Sequence, residues 1–199
     1  MSKKVIYIHG QGGTPAEAEH YKSLFPDSDV FGFDYKSQSP WEAQEEFPRL
    51  FDSLCDENDS VTIIANSIGA FFTIHALSER KIEKAFFISP VVDMEKLIIA
   101  MMNQAGVSET ELSQKGTIET PFGQTLSWEY LSFVRNNPIH RKIPTHILYG
   151  ENDNLTSLEA ITEFTEKTGA TLCVMKNGEH WFHTEEQMAF LDEWIEAFK

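Results

Sequence analysis

The chain has little positive charge, few cysteines and no long apolar run, and each shortage removes a class of function. Only 16 Lys and Arg stand against 31 Asp and Glu, a formal net charge of −15. No basic run or stripe interrupts that acidity, so neither nucleic acid nor an anionic membrane surface is an expected partner. Two cysteines, Cys55 and Cys173, are too few for a disulfide framework, and a zinc site needs more ligands at closer spacing. They read as free, buried thiols of a cytoplasmic protein. The apolar run Val5–Ile8, after Met-Ser-Lys-Lys, is too short for a signal peptide and has no cleavage site; nothing approaches transmembrane length. The expected location is therefore cytoplasmic. Neither G-x-G-x-x-G nor G-x-x-x-x-G-K-[ST] follows the first apolar run, so the glycines there are not read as a nucleotide site. No cofactor and no metal are expected.

What is present suits one globular domain: 199 residues, 41% hydrophobic and 24% charged, enough for a sizeable core. Short β-favouring runs recur at residues 3–9, 30–33, 61–64, 85–89, 145–149 and 171–175, with helical patterns between them. That alternation predicts an α/β fold, a mostly parallel six-stranded sheet with helices on both faces. A helix is expected from about Ala16 to Phe25. Another opens at the capping box Ser39-Pro40-Trp41-Glu42 and is expected to kink or restart at Pro48. Later helices are expected behind Thr156-x-x-Glu159 and Thr184-x-x-Gln187. From about residue 90 to 141 no core strand fits. Met94, Leu97, Ile98, Met101 and Met102 share a helical face behind an Asp93 cap, Ser108 to Glu111 forms a capping box, Gly116 to Trp128 reads as a hairpin, and Glu129 to Arg135 as a short helix.

The centre of the pattern is Val61-Thr-Ile-Ile-Ala-Asn-Ser-Ile-Gly-Ala70. A strand runs into a tight turn and then a helix, with Ser67 at the apex and the small residues Ala65 and Gly69 flanking it. Such a turn can present a hydroxyl, or Ser67 can simply cap an ordinary buried helix. The stretch resembles the nucleophile elbow of α/β-hydrolases, with Ala65 where glycine is more frequent. His9-Gly10-Gln11-Gly12-Gly13 resembles the oxyanion loop of the same superfamily. The stretch after Tyr149, ending in Asp153, resembles its acid loop, and Gly178-Glu-His180 its histidine loop. The order Ser, Asp, His is that of this superfamily, and the likeness runs from residue 3 to 198 without the usual first antiparallel strands.

The resemblance implies a shortened α/β-hydrolase fold, one domain over residues 1–199 with a small cap inserted at about 90–141. It implies a serine hydrolase acting on a small-molecule acyl ester through Ser67, His180 and Asp153, with the backbone N–H groups of Gln11 and Ile68 as the oxyanion hole. Apolar side chains at Leu97, Met101 and Trp181 would then contact the acyl group. A thioesterase, amidase or peptidase uses the same triad, as would a lyase or perhydrolase on this scaffold; a hydrolase-fold protein that only binds a ligand or partner would not need all three residues. Rivals stand at each place: Glu151 and Asp93 for the acid, His183 for the base. The His9 ring is expected to brace its loop, and His75 to be structural. His20, His140 and His146 carry no motif. His180 and His183 lack a third ligand for a metal.

Overall fold

Val5, Ile6, Tyr7 and Ile8 are all buried, and successive strand residues face opposite ways, so both faces of this strand are covered. Such a strand belongs inside a sheet with helices on each side. The computed structural model describes residues 2–139 and 143–199 and has this arrangement. His140, and the end of the insertion expected near residue 141, lie outside the described residues. Six strands, β1 (Lys3–Ile8), β2 (Asp29–Gly32), β3 (Ser60–Asn66), β4 (Lys84–Ile88), β7 (Thr145–Gly150) and β8 (Thr171–Met175), form one sheet in the order β2-β1-β3-β4-β7-β8. Every neighbouring pair in it is parallel. The antiparallel hairpin β5 (Thr117–Glu119) and β6 (Thr125–Ser127) forms a second, small sheet.

Side-chain alternation sorts the core into two layers. Val5, Tyr7, Ile64, Phe86, Ile88 and Leu148 join one cluster with Tyr21 of α1 (Ala18–Tyr21) and Leu191, Trp194 and Ile195 of α8 (Glu185–Phe198). On the other side Phe47 of α2 (Pro40–Leu54) packs edge-on against Phe33 and against Phe72 of α3 (Ile68–Ala76), with centroids 5.5 and 6.0 Å apart. The sequence proceeds outward in both directions from β1 and β3, from β1 to β2 and from β3 to β4. Their carboxyl ends thus form the topological switch point where open α/β sheets bind ligands.

The chain divides into two compact units, Met1–Val92 with Arg141–Lys199, and Asp93–His140. The second contains α4 (Met94–Ala105), α5 (Glu109–Lys115), the hairpin and α6 (Trp128–Asn136). Arg135 joins three of its elements, donating to Glu95 at 2.6 Å and, through two nitrogens, to Glu109 at 2.9 and 2.7 Å. Asp93 caps α4, accepting from the Lys96 N–H at 2.9 Å.

Three local expectations are corrected. The helix expected over 16–25 is a 3₁₀ turn, Pro15–Glu17, followed by a single α-helical turn, Ala18–Tyr21; Pro26 disfavours helical backbone only at Phe25, its expected end. Helix α2 passes through Pro48 unbroken, with Phe47 and Phe51 buried on either side of it. Helix α7 (Leu158–Thr168) is capped by Ser157, not Thr156. Both cysteines are free and half-buried, and burial pushes the Cys55 thiol up to about 11. No described helix is long and apolar enough to cross a membrane.

Candidate active site

Ser67 follows β3 directly, and its backbone has φ 49° and ψ −120°, a region rarely adopted by a residue with a side chain. The turn is sharp because its neighbours crowd it. A Cβ on Gly69 would lie 2.5 Å from the His9 carbonyl oxygen and 2.8 Å from that of Ile8. A Cβ on Gly10 would lie 3.1 Å from the Ser67 Cβ. Glycine at both positions lets β1 and its following loop close on the start of α3. Ala65, fully buried, fits where the resemblance expects glycine. Two backbone bonds fix the turn to the end of β4 and the loop after it: the Ser67 N–H donates to the Ile88 carbonyl at 3.0 Å, and the Val91 N–H to the Ser67 carbonyl at 3.1 Å. The Ser67 hydroxyl makes no cap bond to α3. It lies 2.9 Å from His180 Nε2 instead.

Two further loops complete the group. Those after β7 and β8 touch backbone to backbone, since a Cβ on Gly150 would lie 2.5 Å from the Glu179 carbonyl oxygen and 2.6 Å from Gly178. The Asn152 N–H donates to the Gly178 carbonyl at 2.7 Å across this contact. Asn177, with φ 58°, turns the second loop back, and its N–H donates to the Glu151 carboxylate at 3.0 Å. The result places Asp153 Oδ2 2.7 Å from His180 Nδ1. The carboxylate can only accept, so Nδ1 carries the imidazole proton and Nε2 accepts from Ser67.

Asp153 has no exposed side-chain surface. Burial alone would push its carboxyl up, but the hydrogen bond and charge of His180 and two backbone N–H groups hold it below the ordinary carboxylate range. Those N–H groups belong to Leu155 and Thr156, at 2.8 and 2.9 Å from Oδ1. The Thr156 hydroxyl donates to Oδ2 at 3.1 Å. Thr156, read from the sequence as a helix cap, is thus a partner of Asp153. A Thr three residues after an acid in a turn was the available signal, and its rival use as a cap hid it.

The rival residues have other partners. Glu151 holds Asn177, Asp93 caps α4, and the His183 ring stacks on Trp181 with its Nδ1 2.7 Å from the Trp181 carbonyl. His9 stacks on Tyr35 at 4.3 Å and places Nδ1 2.9 Å from the Gly10 carbonyl, while the Tyr35 hydroxyl donates to the His9 carbonyl. Gln11 is exposed within the turn closed by the Gly13 N–H on the Gly10 carbonyl, and Ile68 opens α3. Trp181, 71% exposed, immediately follows His180. Leu97 and Met101 are half-buried on α4. Among the described residues no cluster could hold a metal ion.

No family profile matches the chain, and no curated protein matches it in sequence. Solved structures do match in shape. The alpha/beta hydrolase domain-containing protein 10 from mouse superposes with a TM-score of 0.74 at 16% identity, covering 98% of this chain and 88% of its own. A putative hydrolase from Agrobacterium vitis S4 gives 0.77 at 16% identity, over 98% and 87%. The carboxylesterase CesB from Bacillus subtilis gives 0.64 at 17% identity, over 99% and 83%. The chain has the α/β-hydrolase fold.

Proposed function

We propose that the chain is a serine hydrolase that cleaves small or medium apolar acyl esters through Ser67, His180 and Asp153. The observation that carries this reading is the continuous hydrogen-bonded series from the buried Asp153 carboxylate through His180 to a Ser67 hydroxyl held at positive φ. A serine hydroxyl is a weak nucleophile at neutral pH and needs a base. In attack, the Ser67 oxygen bonds to the acyl carbon while its proton passes to His180 Nε2. The carbonyl oxygen takes the negative charge, facing the N–H groups of Gln11 and Ile68. Collapse breaks the bond to the leaving alkoxide, which receives the proton from His180, and an acyl-enzyme remains. Water then repeats the sequence with His180 as base, releasing the acid and restoring Ser67. Asp153 keeps the imidazole in one tautomer and stabilises its cation throughout.

Trp181, exposed directly after His180, is proposed as an acyl-contacting side chain. One methylene in such contacts is worth about 1–3 kcal/mol, so a chain-length series of p-nitrophenyl esters should rise in clear steps. Trp181→Ala should flatten it. A flat series in the wild type, or faster cleavage of anionic acyl groups, would count against the apolar preference.

A further inference from the structure

Tyr7 lies at the carboxyl end of β1, 1% exposed, with its ring against Tyr21 at 5.2 Å. Its hydroxyl joins two residues from different parts of the chain. Asn66, directly before Ser67, donates from Nδ2 to the Tyr7 oxygen at 2.9 Å. The Tyr7 hydroxyl donates to Glu17 Oε2. The other carboxylate oxygen of Glu17 accepts from the Thr14 N–H at 2.9 Å. It also lies where a Cβ on Gly13 would come within 3.0 Å of it. Glu17 is therefore bonded, at Thr14, to the end of the turn that carries Gln11.

Donors and acceptors here admit one direction. The carboxylate only accepts, so the single Tyr7 proton must go to Glu17. The Tyr7 oxygen then has only lone pairs for Asn66, which must offer its amide N–H. Asn66 Oδ1 is consequently left buried without a partner among the described residues, an unfavourable state for a polar atom. Burial, reinforced by Tyr21 and Glu17, raises the Tyr7 hydroxyl far above its ordinary range, so it remains a donor at every working pH.

We infer that Tyr7, Asn66 and Glu17 are positioning residues whose hydrogen-bonded chain fixes the Gly10–Gly13 turn, and with it the Gln11 N–H, relative to Ser67. The inference rests on the proposed chemistry at Ser67 for its catalytic consequence. Nucleophile and oxyanion donor come from different strands, β3 and the end of β1, and nothing covalent sets their spacing. An error of about 1 Å in such a spacing costs on the order of 10²-fold in rate.

Tyr7→Phe keeps the ring and removes only the hydroxyl. Its kcat should fall roughly 10–100-fold with KM within about twofold, because an oxyanion donor is used chiefly in the transition state. Glu17→Ala should behave alike, since Tyr7 and Thr14 both lose their acceptor. The double variant should be no worse than the poorer single, as both break one chain. Asp59→Asn controls for lost stability: Asp59 ties Ser2 to the opposite end of the sheet, so kcat should hold.

Hydrogen exchange at residues 11–14 should quicken about tenfold or more in Tyr7→Phe while the β3 amides stay protected. Unchanged exchange there would overturn the inference whatever the activity. So would kcat within twofold of wild type in both single variants, or a double variant whose losses multiply. A wild type that neither hydrolyses esters nor takes a phosphonate sinks the proposed function separately, and exchange alone then decides whether the chain holds the turn.

Discussion

Two serines follow neighbouring parallel strands with a positive φ, unusual for a residue with a side chain. Ser67 follows β3 with φ 49°, and Ser89 follows β4 with φ 42°. Ser67 is half-buried, leads into Gly69 and α3, and reaches His180 with its hydroxyl. Ser89 is 1% exposed, is followed by Pro90, and its buried hydroxyl has no partner among the described residues. Its N–H donates to Leu148 at 2.8 Å, and its loop supplies the Val91 N–H that holds the Ser67 carbonyl. Strain is thus common to both, and what separates them is the partner. A positive-φ serine becomes a candidate nucleophile only where a base from another strand meets it; otherwise the same bend serves to brace its neighbour.

The comparison breaks most sharply at the base. His180→Ala should lower ester hydrolysis by roughly 10⁴–10⁶-fold in kcat, because the members of such a triad act as a unit. Asp153→Asn should cost about 10⁴-fold, through the wrong tautomer. His183→Ala and Glu151→Gln should stay within about tenfold of wild type. Steady-state kinetics on one ester decides among these, and near-full activity in Asp153→Asn would remove the acid from the scheme.

Gly69→Ala tests whether the bend at Ser67 depends on close approach. The added Cβ meets two backbone carbonyls of β1 and its loop, which cannot rotate away as a side chain could. Stability should drop by about 1–3 kcal/mol in urea unfolding, with kcat falling as the loop is displaced. Equal stability would mean that the bend does not depend on the close approach of strand and helix.

A third prediction concerns the helix behind Ser67. Burial lowers the His75 pKa from 6.5 to about 4. Between those values the unfolded chain takes up a proton that the folded chain refuses. Stability should therefore be full above about pH 6.5, fall as pH drops toward 4, and show no further His75 loss below it; the whole effect is on the order of 2–3 kcal/mol. His75→Gln should remove that part of the pH dependence in urea titrations at pH 7 and pH 5. An unaltered slope would show that His75 is not the group responsible.

The smallest effect is expected at Ser89. Ser89→Ala deletes a buried hydroxyl that has no bond to lose, so stability should change by less than about 1 kcal/mol and kcat by less than about twofold. A 100-fold loss of activity would place Ser89 in the chemistry and erase the distinction from Ser67.

Much of the sheet was legible because its inner strands carry apolar runs, as parallel strands covered on both faces must. Val5 to Ile8 and Ala85 to Ile88 are of this kind. The short motifs after β3, β7 and β8 name the three side chains that the fold brings within hydrogen-bond distance. Local choices were less legible where two residues competed for one task. Thr156 and Ser157 can each cap α7, and the carboxylate of Asp153 claims the first. The Tyr7–Asn66–Glu17 chain was not legible at all, since it depends on the β1–β3 register that sets Tyr7 opposite Ile64. No spacing within the sequence reports that register.

The central claim, that Ser67 differs from Ser89 by being an activated nucleophile, is tested most directly by a fluorophosphonate probe with mass mapping of the adduct. One phosphonate per chain should form on Ser67, vanish in Ser67→Ala and persist in Ser89→Ala. A wild type that takes no label, or an adduct on any other residue, would contradict it.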